Sequence, residues 1–322
     1  MADAPANVGI VAIGRNEGER LVRCLASIPS GVPAVYVDSA STDGSPETAR
    51  AAGATVHALD MARPFTAARA RAEGAQQLFD RFPETAFVMF VDGDCEIEPG
   101  WLATAADFLT TNPDFAAVGG RRRERHPEAS FYNALADYEW NQPAGETESC
   151  GGDAMMRAAA YRDVGGFDAK MIAGEEPELC GRLRAATWRI MRLDAPMTIH
   201  DAATFRFSQW WRRGVRSGFG YAQAWRVTRA QGHALYNREL GRAFGWGAIL
   251  PLASVVGAVA FHPLIVLLWP GLNLLQILRW SGRVGVRHAT LAAVAHFAEL
   301  AGALRYAWRA ARGDAGGTLV YK

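Results

Sequence analysis

The chain has 322 residues, half of them hydrophobic, and a formal net charge of +1. That content excludes a disordered or low-complexity chain and suits one large α/β domain with an appendage. The near-neutral total hides two opposite halves: residues 1–204 carry 19 basic and 30 acidic side chains, and residues 205–322 carry 15 and 3.

Residues 8–13, VGIVAI, predict a first strand running into the loop GRNE. Residues 19–28 follow with Leu21, Cys24, Leu25 and Ile28 on one helical face. Residues 32–37 predict a second strand that ends at Asp38. The turn SASTDGSPE leads to a helix for which Ser45 is the expected N-cap, with Pro46 in the first helical position. This alternation argues for a doubly wound sheet. Asp38 is placed like an acid that reads a nucleotide base or ribose, although no G-x-G-x-x-G loop precedes it. Asp43-Gly44 reads as ordinary turn chemistry.

A short strand is expected over residues 54–57 and a helix over 64–78. On that helix Arg69 and Arg71 either face a crevice and pair with a diphosphate or lie on a solvated face. Residues 87–91 form an apolar run that breaks into Asp92-Gly93-Asp94. Such a run reads as a buried strand opening at its C-terminal end, where ligands sit in open α/β sheets. Two aspartates one residue apart, with a glycine for the turn, can share a hard cation such as Mg2+ or Mn2+. Taken alone, the motif is equally an acidic turn.

A helix is expected over 100–110, a strand over 116–120, then a basic run over 121–125 that binds phosphate or is a solvated strand. Residues 131–140 read as an aromatic-rich helix. The turn Ser149-Cys150-Gly151-Gly152-Asp153 would let backbone amides approach a ligand. Glu175-Glu176-Pro177-Glu178 opens a helix, where acids also suit the dipole. Residues 190–193 predict a last short strand, followed by His200-Asp201. The four cysteines are far apart in sequence and form no C-x-x-C pair, which points to a reducing compartment without structural zinc or disulfides. The N-terminus has no basic segment followed by a long apolar one, so no signal peptide is expected.

Seven pieces, GRNEGERLVRCLASI, VYVDSASTDGS, ARAEG, VDGDCEIEPGWL, GGDAMMRAAAYRDVGGFD, GEEPELCGRLR and QWWRR, occur in this order over most of residues 8–213. Together they resemble the family 2 glycosyltransferases, which have the nucleotide-sugar-binding GT-A fold, a Rossmann-like, mostly parallel sheet flanked by helices. The resemblance implies that Asp38 contacts the base of a nucleotide-diphosphate sugar, UDP-sugar by default. It implies that Asp94 chelates Mg2+ or Mn2+, with Asp92 near ribose and phosphate, and that His200 completes the metal shell. Arg71 and Gly152 join the donor-binding set. The family's catalytic base is the aspartate of a Glu-Asp pair. Glu176 stands at that position, so the residue type is changed. Gln209, Arg212 and Arg213 resemble a motif ending Arg-Trp that binds acceptor and pyrophosphate, here with arginine for the final tryptophan. Ala72 replaces an expected asparagine. One base and no enzyme nucleophile implies single displacement with inversion.

Residues 244–278 contain no Asp, Glu, Lys or Arg and have basic flanks. By the positive-inside rule both ends face the cytosol. A hairpin turning near His262-Pro263 is expected, spanning or re-entrant, with each arm short for a full span. Residues 290–310 read as an amphipathic helix for an anionic membrane surface, with Leu291, Val294, Ala298, Ala301 and Leu304 on its apolar face. The tryptophans at 210, 211, 225, 246, 269, 280 and 308 suit an interfacial belt. Three domains follow: 1–204 catalytic, 205–243 a basic linker, and 244–322 membrane-associated. The expected protein is an inverting glycosyltransferase at the cytosolic face of the inner membrane. Its acceptor is a lipid-linked species or a glycan, and nucleic acid is not a partner. A polyprenyl-phosphate acceptor, a nucleotidyltransferase and a non-catalytic nucleotide-sugar-binding scaffold are the rival readings.

Overall fold

The computed structural model describes residues 7–230, 232 and 234–313. The expectation of no signal peptide falls partly on residues 1–6, outside that set. The chain forms two compact units, the first ending at Phe205 and the second beginning at Arg206.

The first unit runs β1 (Val8–Gly14), α1 (Glu19–Ala26), β2 (Ala34–Asp38), α2 (Ser45–Ala51), β3 (Thr55–Ala58), α3 (Ala67–Arg81), β4 (Phe87–Asp92) and β5 (Cys95–Ile97). It continues with α4 (Trp101–Thr111), β6 (Phe115–Glu124), α5 (Phe131–Trp140), β7 (Gly145–Glu146), β8 (Ala154–Arg157), α6 (Ala158–Asp163), α7 (Glu175–Ala185) and β9 (Arg189–His200). The strand order is β3-β2-β1-β4-β8-β6-β9-β5, with β7 on β9. The β3-β2-β1-β4 half is parallel. Beyond β4 the sheet is mixed rather than mostly parallel: β8 runs antiparallel to β4 and β6, β9 parallel to β6, and β5 antiparallel to β9.

Alternation in the apolar strands builds two cores. Ile10, Tyr36 and Met89 face α1 and α4, meeting Leu21, Cys24, Trp101 and Leu109. Val11, Val37 and Phe90 face α3 and α7, meeting Leu78, Phe79, Leu179 and Leu183. A strand apolar on both faces is what a sheet covered on both sides requires.

Several boundaries differ from expectation for local reasons. Ser45 is not an N-cap: Gly44 holds that position at φ 82°, and the Ser45 N–H and hydroxyl donate to Asp43 Oδ1 at 3.1 and 2.7 Å. The last strand spans twelve residues rather than four. Its Pro196 pairs with Arg121 at a register irregularity, the place where a sheet tolerates proline.

The second unit contains α8 (Phe207–Ala230), α9 (Asn237–Phe244), a π-turn at Gly245–Ile249, α10 (Leu250–Ala260), a 3-10 segment at Pro263–Leu267, α11 (Leu268–Val284) and α12 (Val286–Ala311). The break falls at Phe261-His262, as the sequence predicts, but the arms are not short. Asn237–Ala260 and Pro263–Val284 are 24 and 22 residues, and an 18-residue stretch of each has mean hydropathy 1.8 and 1.3. At ~1.5 Å per residue each is long enough to cross a ~30 Å hydrocarbon core. Their side chains are open, with Val259 85% and Leu264 65% exposed.

α12 corrects the surface-helix expectation. It packs on α8, with Tyr306 against Phe219, and buries Ala289, Ala293, His296, Ala298, Leu300 and Ala303; of the expected apolar face Ala298 is buried while Leu304 is exposed. Small residues make this possible. A Cβ on Gly218 would stand 1.9 Å from Glu299 O, and one on Gly302 would stand 2.0 Å from Val215 O. The two backbones touch, the geometry that small residues spaced by four allow. Gly218→Val must therefore separate the helices. We expect a loss of about 3 kcal/mol, read as a lowered melting temperature of the purified protein.

Candidate active site

The site lies where β2, β1 and β4 end. Their register sets Gly14 beside Asp38 and Ile13 beside Asp92, so two carboxylates flank the end of β1. Asp38 is buried. Its Oδ1 accepts from the Tyr36 hydroxyl at 3.4 Å and its Oδ2 from the Ser41 N–H at 2.9 Å. Burial, with the Asp38 charge beside it, pushes the Tyr36 phenol above its ordinary range, so it stays a donor.

Asp92 closes β4 and Asp94 sits in the turn before β5. Gly93 serves close approach rather than a left-handed turn: its N–H donates to Ile13 O at 2.8 Å, and a Cβ would stand 3.1 Å from the same oxygen. Asp92 Oδ1 accepts from Arg71 Nη2 at 2.6 Å, and Glu175 Oε1 accepts from Arg71 Nη1 at 2.6 Å. Arg71 is only 3% exposed. Burial works against its charge, but Asp92 and Glu175 outweigh it and hold the guanidinium firmly protonated. Gly152 lies against this pair; a Cβ there would come within 2.8 Å of Arg71 Nη2. Arg69 does not join Arg71. Residues two apart point to different sides of a helix. Arg69 instead bonds Glu73 and the carbonyls of Asp60, Arg63 and Pro64.

His200 reaches Asp94 through the sheet. The antiparallel β5–β9 ladder sets Cys95 beside His200, and the Asp201 N–H donates to Asp94 O at 3.1 Å. His200 Nε2 then lies 3.4 Å from Asp94 Oδ1, with the Trp140 ring edge-on to the imidazole at 4.7 Å. Asp153, fully buried, ties the parts together. Its Oδ1 accepts the Asp92 N–H at 3.1 Å, and its Oδ2 accepts from Thr198 at 2.9 Å and pairs with Arg122 at 2.9 Å. The basic run over 121–125 is matched by acids: Arg121 with Asp194, Arg122 with Asp153, Arg123 with Asp137 and Arg125 with Glu96. It is a paired strand, not an open phosphate cradle.

Glu176 is buried at the start of α7. Its Oε1 accepts from the Cys150 N–H at 2.7 Å and the Cys180 thiol at 3.0 Å. Gln209, Arg212 and Arg213 belong to the first turns of α8 in the second unit. There Gln209 Oε1 accepts the Arg206 N–H at 2.9 Å, and both arginines are exposed.

Residues 10–164 match the family model described as glycosyl transferase family 2. That stretch, just under half of the chain, is similar to the family 2 glycosyltransferases. The pre-mycofactocin glycosyltransferase of Mycobacterium tuberculosis is 30% identical to it over 131 residues, which cover 37% of this chain and 28% of that protein. The match thus spans under a third of the length of the curated relative. Two solved structures share the fold. The mannosyltransferase PcManGT of Pyrobaculum calidifontis, in complex with GDP-Man and Mn2+, aligns with TM-score 0.64 at 21% identity over 92% of this chain and 87% of that one. Residues 1–349 of TarS from S. aureus align with TM-score 0.51 at 15% identity over 94% and 92%. The mixed sheet with helices on both faces is the GT-A fold.

Asp153, Glu175 and Arg122 are the residues of this site that sequence reasoning missed. The only sequence signal for Asp153 is its place between two glycines and an apolar strand. The donor atoms of Asp94, Cys95 and His200 lie within 4.8 Å of one another. A carboxylate oxygen and an imidazole nitrogen suit Mn2+ or Mg2+. The Cys95 thiol does not, because soft sulfur is a poor ligand for these hard ions.

Proposed function

We propose that this protein is an inverting, metal-dependent glycosyltransferase. It moves a sugar from a nucleoside-diphosphate donor to a lipid-linked or glycan acceptor at the cytosolic face of the cell membrane. The observation that carries this reading is the row Asp38, Asp92, Asp94 and His200 along one edge of a GT-A sheet. Asp38 fixes the base end of the donor and Asp94 with His200 the diphosphate end. A divalent cation held there would offset the charge that develops on the leaving diphosphate. Arg71 holds Asp92 in place. The exposed apolar helices Asn237–Ala260 and Pro263–Val284, with arginines before and after them, support the membrane placement.

Uridine and guanosine donors both belong in the first screen, because PcManGT was solved with GDP-Man. Release of nucleoside diphosphate that needs Mn2+ or Mg2+ is the expected result. A chain that binds no nucleotide sugar with either ion would refute the reading. Recovery of the full-length chain in the soluble fraction, without detergent, would refute the membrane placement.

A second reading has its own support. Glu176 Oε1 already accepts two hydrogen bonds, so that oxygen is engaged within the protein rather than turned to an acceptor hydroxyl. An acceptor that is already anionic, such as a polyprenyl phosphate, needs no base. Glu176→Gln separates the two. With a hydroxyl acceptor we expect about a 10²-fold loss of kcat. Turnover retained in that variant favours the phosphate acceptor and removes Glu176 from the base role.

A further inference from the structure

Two of the four buried cysteines meet, although 30 residues separate them in sequence. Cys150 lies in the loop before β8. Cys180 lies on α7, one turn after Glu176, so the two α7 side chains share a face. Cys150 Sγ stands 3.7 Å from Cys180 Sγ, and the three donor atoms of Cys150, Cys180 and Glu176 lie within 4.8 Å of one another. We propose that Cys150, Cys180 and Glu176 form a second metal site, built for a thiophilic dication such as Zn2+ or Cd2+ and separate from Asp94 and His200.

The spacing suits such an ion. With Zn–S bonds of ~2.3 Å, two thiolates at a tetrahedral centre stand ~3.8 Å apart. The observed 3.7 Å needs almost no adjustment. A disulfide needs ~2.05 Å, so the sulfurs would have to move much further to form one. A thiolate and a carboxylate oxygen on the same ion stand ~3.6 Å apart. The contact between Cys180 and Glu176, now 3.0 Å, therefore opens by a small rotation of the glutamate.

The charges also balance. Arg192 on β9 is near enough to Cys150 and Glu176 for its charge to act on both. Without metal, the thiols keep their protons. The contact with Cys180 pulls Cys150 down, but burial and Glu176 prevail and raise it. Cys180 is pushed well up by Cys150 and burial. Two protons leave as the dication enters, so the exchange does not change the net charge of the site. Thiolates select soft or borderline ions, whereas the oxygen of Asp94 suits hard ones, so the two sites sort metals by chemistry. One consequence rests on the assignment of Glu176 as base: an ion held here occupies that carboxylate and stops turnover.

The test titrates the full-length protein with Cd2+ in excess Mg2+, which fills the Asp94 site. A thiolate-to-metal charge-transfer band in the ultraviolet and the protons released into weak buffer are followed together. We expect one Cd2+ bound per chain with two protons released. Apparent affinity should rise by up to about 100-fold per pH unit across the neutral range, because the ion displaces two protons. Band and proton count should persist in Cys95→Ser and vanish in Cys180→Ser. The wild-type proton count decides the matter even where a variant fails to fold. Absence of the band in the wild type, release of a single proton, or a band that depends on Cys95 would overturn the proposal. Cd2+ bound with two protons released but turnover unchanged would uphold the site and remove Glu176 from the base role.

Discussion

Asp94→Ala is expected to lower metal-dependent turnover by about 10³-fold, some 4 kcal/mol of transition-state stabilisation, with little change in folding. Asp94 lies in a turn, and its side chain is partly exposed rather than part of the core. On the proposed assignment, removing it takes the carboxylate donor from the metal site and leaves the His200 imidazole alone. The measurement is nucleoside diphosphate release against Mn2+ concentration. The variant should show both a lower plateau and a higher metal requirement. Asp94→Asn keeps the shape but loses the charge, so it should fall close to the alanine variant. Turnover within threefold of wild type in both variants would exclude Asp94 as a metal ligand.

Arg71→Ala should be the most destabilising single change in the first unit. The guanidinium is buried and bridges Asp92 and Glu175 with two 2.6 Å contacts. Removing one partner of a buried ionic group costs about 3–5 kcal/mol, because the remaining charges are left uncompensated. In a domain of this size that lowers the melting temperature by about 10 °C. Arg71→Lys should restore only part of the loss, since one ammonium cannot present two parallel donors to two carboxylates. The pH dependence carries a definite sign. In wild type Arg71 stays charged throughout, as its raised pKa requires. In the alanine variant, protonation of Asp92 or Glu175 relieves the repulsion. The deficit should therefore shrink as pH falls and be largest at neutral pH and above. A deficit independent of pH would mean that the loss is one of packing alone.

Much of this fold is legible in the sequence because the β3-β2-β1-β4 half is made of apolar runs, each ending in a polar turn. Asp38 and Asp92 can be placed from those runs alone. The second half of the sheet is less legible. β9 carries arginines, an aspartate and a proline, and it is a strand because β6, β5 and β7 pair with it, not because of its own pattern. Arg69 and Arg71 could have been separated by helical spacing, since residues two apart cannot face one crevice. Asp153 could not have been ranked, because its partners Asp92, Arg122 and Thr198 come from three different strands. The meeting of Cys150 and Cys180 is tertiary for the same reason. The face that α12 buries was misjudged because alanine and glycine, not the larger Leu304, set how closely two helices approach.

The β5–β9 ladder makes the proposed metal pair a late product of the chain. Asp94 and His200 are over a hundred residues apart, and the pairing of Cys95 with His200 brings them together. β9 is the last strand of the first unit, so the chain must be complete to residue 200 before both side chains can exist in one place. An ion held by the pair, as proposed, is linked by mass action to the β5–β9 ladder and stabilises the state in which that ladder is formed.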